Sequence, residues 1–229
     1  MVVLNNFQQP IWIKDASGYI TYRAYDQATK ALVKEITDVD TTQSTTCSNL
    51  PSGWSTPSGA GLHLTTSYEV DSLGRATKVT YPNSRVDYIV YKDDVHEVRT
   101  YPAWDATNNV PLLPITVARE DKARGYREVL TMSATPSVTS GKPTGTESIS
   151  SLESLSREVL NSVGQVTATD QYFYLTGLSY SASSVTLGTS GTNYYRTEYG
   201  YDSKGNRVRT LSPTGTITRT VLDDLNRVS

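Results

Sequence analysis

The sequence predicts an all-β chain of stacked antiparallel hairpins, on the strength of its composition, a recurring turn unit and strict alternation between turns. It holds 16 Tyr against 2 Phe in 229 residues, and Ser plus Thr make up about a quarter of the chain. Tyr and Thr suit pleated surfaces packed on one side and wet on the other, and this usage is far from the average.

The turn unit is the most specific of the three. In Tyr199-Gly-Tyr-Asp202-Ser-Lys-Gly205 an aromatic stands three residues before an Asp and a Gly three residues after it, and Pro213-Thr-Gly215 follows. Tyr68, Asp71, Gly74 and Pro82 repeat those offsets, with Pro eleven residues beyond Asp in both copies. Trp12, Asp15 and Gly18 repeat the first half, Asn161 and Gly164 keep the final step, and Asp223 opens another copy 21 residues after Asp202. An Asp opening a turn accepts hydrogen bonds from the backbone just ahead, and Gly at the fourth position takes the left-handed conformation that closes it. This is the four-residue hairpin loop built on a type I turn. Pro213 and Gly215 mark the opposite turn, so strands of roughly five to seven residues alternate between them.

Alternation fills the intervals. Tyr195-Arg-Thr-Glu-Tyr199 places aromatics and Thr on one face, with Arg196 and Glu198 on the other. Segments 75–81, 87–91 and 96–101 also have a period of two. The clearest repeats are 11–37, 66–101 and 194–229. Between them, 41–61, 103–114, 133–151 and 179–193 are rich in Ser, Thr, Pro and Gly, and are expected to be polar loop insertions, with 133–151 the mobile one. Segment 152–163 has a weak helical period, yet its Asn161-to-Gly164 step suggests strands flanking a turn. A propeller is disfavoured, because the spacing between copies is irregular. One repeat-built region over 1–229 is the expected organisation.

Charge and motifs exclude several functions. The net charge is −2 with signs interspersed, which provides no basic footprint for nucleic acid. No apolar run reaches the roughly 18 residues needed to span a bilayer, and no signal-peptide pattern opens the chain. Cys47 is the single cysteine, so neither a disulfide framework nor a cysteine metal site can form within the chain. His63 and His96 are the only histidines, and no Gly-x-Ser-x-Gly elbow is present. Asp93-Asp94 and Asp223-Asp224 fall at turns, where Asp caps backbone. The expectation is no catalytic residue, no metal site and no cofactor. Trp54, Trp104, Tyr194 and Tyr195 are candidates for stacking on a sugar, against the alternative that they anchor loops on the sheet.

The segment Tyr201-Asp-Ser-Lys-Gly-Asn-Arg-Val208, with Pro213-Thr-Gly215 after it, resembles the repeat of the YD-repeat (Rhs-type) proteins, and 222–228 resembles the next copy with Leu in place of Tyr. The resemblance implies a spiral or partial-shell sheet and an extracellular or cell-surface scaffold that encloses or displays other domains. It implies as partners the remaining repeats of a larger parent chain or neighbouring copies, and carbohydrate has been linked to some members. The Asp-Pro-x-Gly motif of self-cleaving members is missing, because no Asp-Pro dipeptide occurs. The sequence stops within a repeat, which suggests a fragment or an edge covered by a neighbour. The alternatives to a scaffold are a carbohydrate-binding or adhesin module acting through the insertions, and a self-assembling fibre subunit.

The structural residues expected from this reading are therefore Asp15, Gly18, Asp71, Gly74, Pro82, Asp202, Gly205, Pro213 and Gly215. Gly205→Val should lower the melting temperature, because a β-branched residue is forced to positive φ. An unchanged melt would remove the turn assignment.

Overall fold

The computed structural model describes residues 1–46, 49–57 and 60–228; Cys47 lies outside them. The strands are β1 (Val2–Leu4), β2 (Pro10–Lys14), β3 (Ile20–Tyr25), β4 (Leu32–Thr37), β5 (Leu64–Val70), β6 (Ala76–Thr80) and β7 (Val86–Lys92). Then come β8 (Glu97–Tyr101), β9 (Trp104–Asp105), β10 (Val110–Pro111), β11 (Ile115–Asp121), β12 (Tyr126–Met132), β13 (Val138–Thr139) and β14 (Lys142–Pro143). The last are β15 (Leu152–Leu160), β16 (Val166–Tyr172), β17 (Tyr194–Tyr201), β18 (Arg207–Leu211) and β19 (Ile217–Arg219). Fifteen of them form one open antiparallel meander in chain order, while β9–β10 and β13–β14 are separate two-stranded ribbons. The fold is all-β, and the chain divides into two compact units, Met1–Ile89 and Val90–Ser229.

One turn geometry recurs in both units. The Gly74 N–H donates to Asp71 O at 3.0 Å, and the Asp71 N–H to Arg75 O at 3.0 Å. Asp71 Oδ1 accepts the Leu73 and Arg75 N–H groups at 2.9 Å each. Asp202 repeats this with Lys204 and Asn206, and Asp223 with Leu225 and Arg227. Asn161 repeats it with Val163 and Gln165. At Gly205 φ is +86°, where an L side chain is strained, and a Cβ would also meet Gln165 Nε2 at 3.1 Å. The turn after Pro82 places Ser84 at the position that Gly215 occupies after Pro213, with φ +64° against +86°.

One copy of the unit was not legible from spacing, nor was one variant with a turn a residue longer, in which the Lys30 N–H donates to Asp26 O. Asn5 Oδ1 accepts the Phe7 and Gln9 N–H groups, with Gln8 at φ +63° in place of Gly. Tyr25-Asp26 is a further Tyr-Asp dipeptide. The Tyr25 hydroxyl donates to Pro10 O at 2.9 Å, much as the Tyr201 hydroxyl donates to Val166 O at 2.7 Å. In each case the Tyr ties the end of its strand to the start of the preceding one.

In the first unit the core is a cross-strand row. Trp12 lies opposite Tyr22, and Tyr22 opposite Ile36. These three join Ile20 and Val39 in one buried cluster. The Trp12 and Tyr22 rings stand 4.6 Å apart. Burying such side chains contributes about 1.5–3 kcal/mol each. Leu50 and Trp54, from the connection between β4 and β5, pack on the same cluster.

Segment 152–163 is strand β15 followed by the Asn161 turn, as the Asn161-to-Gly164 step suggests against the weak helical period. One sequence expectation is corrected: His96 does not open a strand but caps a single helical turn, Asp93–Val95, in the left-handed region at φ +49°. The structure also decides which face of each strand is covered. In β8 the buried positions are Glu97, Arg99 and Tyr101, while Val98 lies between them on the other face. In β17 it is Arg196 that turns toward buried Asp170, while Tyr195 faces outward. The period of two holds, but the charged residues occupy the covered side.

Hydrogen bonds hold the turn carboxylates below the usual range, from the Asn206 side chain at Asp202 and from the Arg227 N–H at Asp223. A depressed folded pKa contributes stability that is present above the ordinary carboxylate range and is lost as pH falls through the folded value. The melting-temperature gap between the wild type and Asp202→Asn should be open at neutral pH and close below about pH 4. Thermal melts across that range check it, and a constant gap would show that the charge plays no part.

Candidate functional site

In an antiparallel meander, alternate connections leave from the same end. In the second unit the connections at 93–96, 122–125, 161–165 and 202–206 are tight turns at one end. Those at 102–114, 133–151 and 173–193 are long and share the other end with the short turn at 212–216. Loops gathered at one end of a rigid sheet are where binding residues usually concentrate.

Beneath those loops the covered face carries a row of charge. By register Glu97 lies opposite Arg119, Arg119 opposite Glu128, and Glu128 opposite Arg157. Arg157 in turn lies opposite Asp170, and Asp170 opposite Arg196. The sign alternates at every step across six adjacent strands. Arg157 is 0% exposed and reaches Glu128 Oε2 through Nε at 2.9 Å and Nη2 at 2.6 Å. Arg196 holds Asp170 with two bonds of 2.7 Å each. Val117, Leu130 and Leu155 form the apolar row alongside, all essentially inaccessible.

The long loops close over this row. Ser184 O and Val185 O accept from Arg157 Nη1 at 2.6 and 2.7 Å. The Tyr180 hydroxyl donates to Glu128, and that of Tyr126 to Ala182 O. The Tyr172 hydroxyl donates to Leu187 O at 2.8 Å, and burial pushes that phenol up to about 12. From the 133–151 loop, Glu147 accepts from Arg99 Nη1 at 2.7 Å and from the Tyr101 hydroxyl at 2.6 Å. Burial would raise the Glu147 carboxyl, but the Tyr101, Ser137 and Arg99 donors outweigh it and hold the group below its ordinary value. The loop expected to be mobile is thus tied to the sheet through a buried ion pair.

Of the sequence-nominated aromatics, Trp104 is 7% exposed, set edge-on to Tyr101 at 6.2 Å. Tyr194 is 3% exposed and packs on Tyr172 at 4.9 Å. Packing takes up both rings, and neither offers a face to a ligand. Trp54 is half-buried, with the Lys14 amine 5.9 Å from its ring. Tyr195 is 54% exposed and stacks on Phe173 at 4.4 Å and 28°. Phe173 and its neighbour Tyr174 were missed in the sequence, although the run Tyr172-Phe-Tyr174 just before a loop was a signal. A groove of about 480 Å³ opens beside them, between 150–153 and 173–180. A second, of about 330 Å³, lies between 110–115 and 132–136.

The turn residues lie elsewhere. Asp15 accepts the Tyr19 N–H at 2.9 Å, with Gly18 at φ +94°. Asp71, Gly74 and Pro82 lie on turns of the first unit, and Asp202, Gly205, Pro213 and Gly215 on turns of the second. Within each unit they stand on separate turns between strands. Among the described residues no group of three or more His, Cys, Asp or Glu is placed to hold a metal ion. Among the same residues no helix is long and apolar enough to cross a membrane.

No family model matches the sequence, and no curated protein matches it. Solved structures similar to it include TcdB2-TccC3, at 14% identity and TM-score 0.39, covering 99% of this chain and 12% of that one. TcdB2-TccC3-Cdc42 is similar at 15% identity and TM-score 0.39, covering 99% and 11%. The Photorhabdus luminescens Tc holotoxin pore is similar with the same four values. The chain therefore spans about 12% of the length of the first of these solved chains.

Removing one partner of a buried ion pair costs about 3–5 kcal/mol, whereas replacing both with apolar residues is often close to neutral. Glu128→Gln should fall in that destabilised range, and Glu128→Leu with Arg157→Met should recover most of the loss in urea unfolding. Additive losses would mean the two residues do not act as a pair.

Proposed function

We propose that this chain is a non-catalytic scaffold segment of a YD-repeat (Rhs-type) protein, contributing hairpin-built sheet to an extracellular or surface assembly that encloses or displays other domains. The observation that carries the reading is that one turn is linked to the next. Gln165 Nε2 donates to Gly205 O at 3.1 Å, Asn206 Nδ2 to Asn226 Oδ1 at 3.0 Å, and Lys204 Nζ to Asp224 O at 3.2 Å. Each hairpin is thereby set in register by its neighbour, which is how a repeat array extends with the same local contacts. Its partners on this reading are further repeats of a parent chain or neighbouring copies. The mechanism is steric, and it needs no cofactor.

An array held by nearest-neighbour contacts opens from its ends. Native-state hydrogen exchange on the intact chain should show protection highest in β12, β15 and β16 and falling strand by strand toward β18 and β19. One common opening rate for every strand of that unit would overturn the scaffold reading.

A further inference from the structure

The sheet of the second unit has one face sealed by the long loops and one face left open. On the open face three rows of side chains run side by side across neighbouring strands. Thr100, Thr116, Thr131 and Ser154 form a hydroxyl row, and Val98, Ala118, Val129 and Ser156 the row beside it. Glu120, Arg127 and Glu158 form the third, and His96, whose carbonyl accepts the Glu120 N–H at 3.1 Å, stands at its end. The middle row is apolar between two polar ones, and Val129 in it is 53% exposed. Ala118 lies between Val98 and Val129, and with strands about 4.8 Å apart the two valines flank a trough roughly 10 Å across. A hollow of about 440 Å³ opens over this floor, rimmed by His96 and the charged row, within the roughly 300–1,000 Å³ usual for small-ligand sites.

We infer that this hollow binds a primary ammonium ion carried on a compact apolar body, of the arylalkylamine class. Charge selects the ammonium. Arg127 and Glu158 meet in an ion pair and cancel. Arg119 and Glu128 also border the hollow, but their side chains turn to the covered face, where the Tyr180 hydroxyl meets both. Among the described residues neither the Glu120 carboxylate nor the His96 imidazole has a hydrogen-bond or ion-pair partner. The rim therefore carries one uncompensated negative charge above an apolar floor. An anion is repelled there, and an uncharged apolar ligand would cover the carboxylate without pairing it, which is costly. The carboxylate only accepts, and a neutral imidazole accepts at one nitrogen, so the N–H groups of a primary ammonium suit the two together. The valine-flanked trough takes the ring.

The rim is held in place before any ligand arrives. His96 sits in the left-handed region at φ +49°, a conformation that needs its surroundings to hold it. Its N–H donates to Asp93 O at 3.4 Å, and its carbonyl is the acceptor for Glu120. Groups ordered in advance lose little conformational entropy on binding, which matters for a ligand gripped by few contacts. The inference does not rest on the scaffold reading, and the hydrogen-exchange result leaves it untouched.

The test uses the intact 229-residue chain with 2-phenylethylamine as the probe. Its comparisons are 3-phenylpropionate, which keeps the ring and reverses the charge, and ethylamine, which keeps the charge and lacks the ring. NMR titration should show 2-phenylethylamine binding with Kd on the order of 1 mM or tighter, moving the Ala118 and Val129 methyl signals, and both comparisons binding about ten-fold more weakly or worse. Glu120→Gln, isosteric and uncharged, should weaken binding by about ten-fold at an unchanged melting temperature, as expected for a lost charge-assisted contact. Ala118→Leu, at an exposed position, should fill the trough and abolish binding. If Ala118→Leu lowers the melting temperature, Glu120→Gln decides alone. The inference is overturned if 2-phenylethylamine gives no saturable shift, or if 3-phenylpropionate or ethylamine binds as tightly. It is equally overturned if the folded Glu120→Gln chain binds the amine like the wild type.

Discussion

Glu97, Arg119, Glu128, Arg157, Asp170 and Arg196 face one another in turn across six adjacent strands, and the covered side of the second unit is organised around keeping them compensated. A carboxylate or guanidinium taken out of water costs several kcal/mol unless its lone pairs and protons are met. Within the row Arg157 pairs with Glu128 and Arg196 with Asp170, while Glu97 pairs with Arg99 of its own strand. Groups above the sheet complete the set: the carbonyls of Ser184 and Val185 meet Arg157, the hydroxyl of Tyr180 meets Glu128, and the carboxylate of Glu147 meets Arg99 beside the row. The long loops are therefore components of the interior as much as connections between strands.

That constraint divides the labour between the two ends of the unit. At the tight-turn end an Asx residue and a residue in the left-handed region close each hairpin, and neighbouring turns are linked side chain to backbone. At the loop end the chain is long because it must reach back over the charged row. Having done so, it leaves some of its side chains outside, among them Phe173 and Tyr174. Tyr180, in the lining of the groove beside them, donates its hydroxyl to Glu128 of that row.

The turns were legible in the sequence because their chemistry is local. Asp71 and Gly74, or Asp202 and Gly205, lie within four residues of each other, and every hydrogen bond that defines the turn is made between the Asp and the residue just after the Gly. Copies were missed where the closing Gly was replaced: Gln8 adopts the same backbone conformation at φ +63°, held by Asn5 and the strands on either side. The aromatics were harder to place. Tyr194 and Tyr195 are adjacent and alike, yet one is 3% exposed and its neighbour 54%, because successive residues of a strand point to opposite faces.

The sequence by itself determined the strands, their period of two and the turns that separate them, since each depends on residues a few positions apart. Which face of each strand is covered was decided only by tertiary structure. Read alone, Arg196 and Glu97 belong to a solvated face, and Val98 to a core. The opposite holds because Arg196 meets Asp170 from a neighbouring strand 26 residues away in sequence, and Arg99, beside Glu97, meets Glu147 from a loop 48 residues away. A buried charge is tolerable only when its partners arrive, and those partners are set by strand register and loop path, which no local pattern of residues encodes.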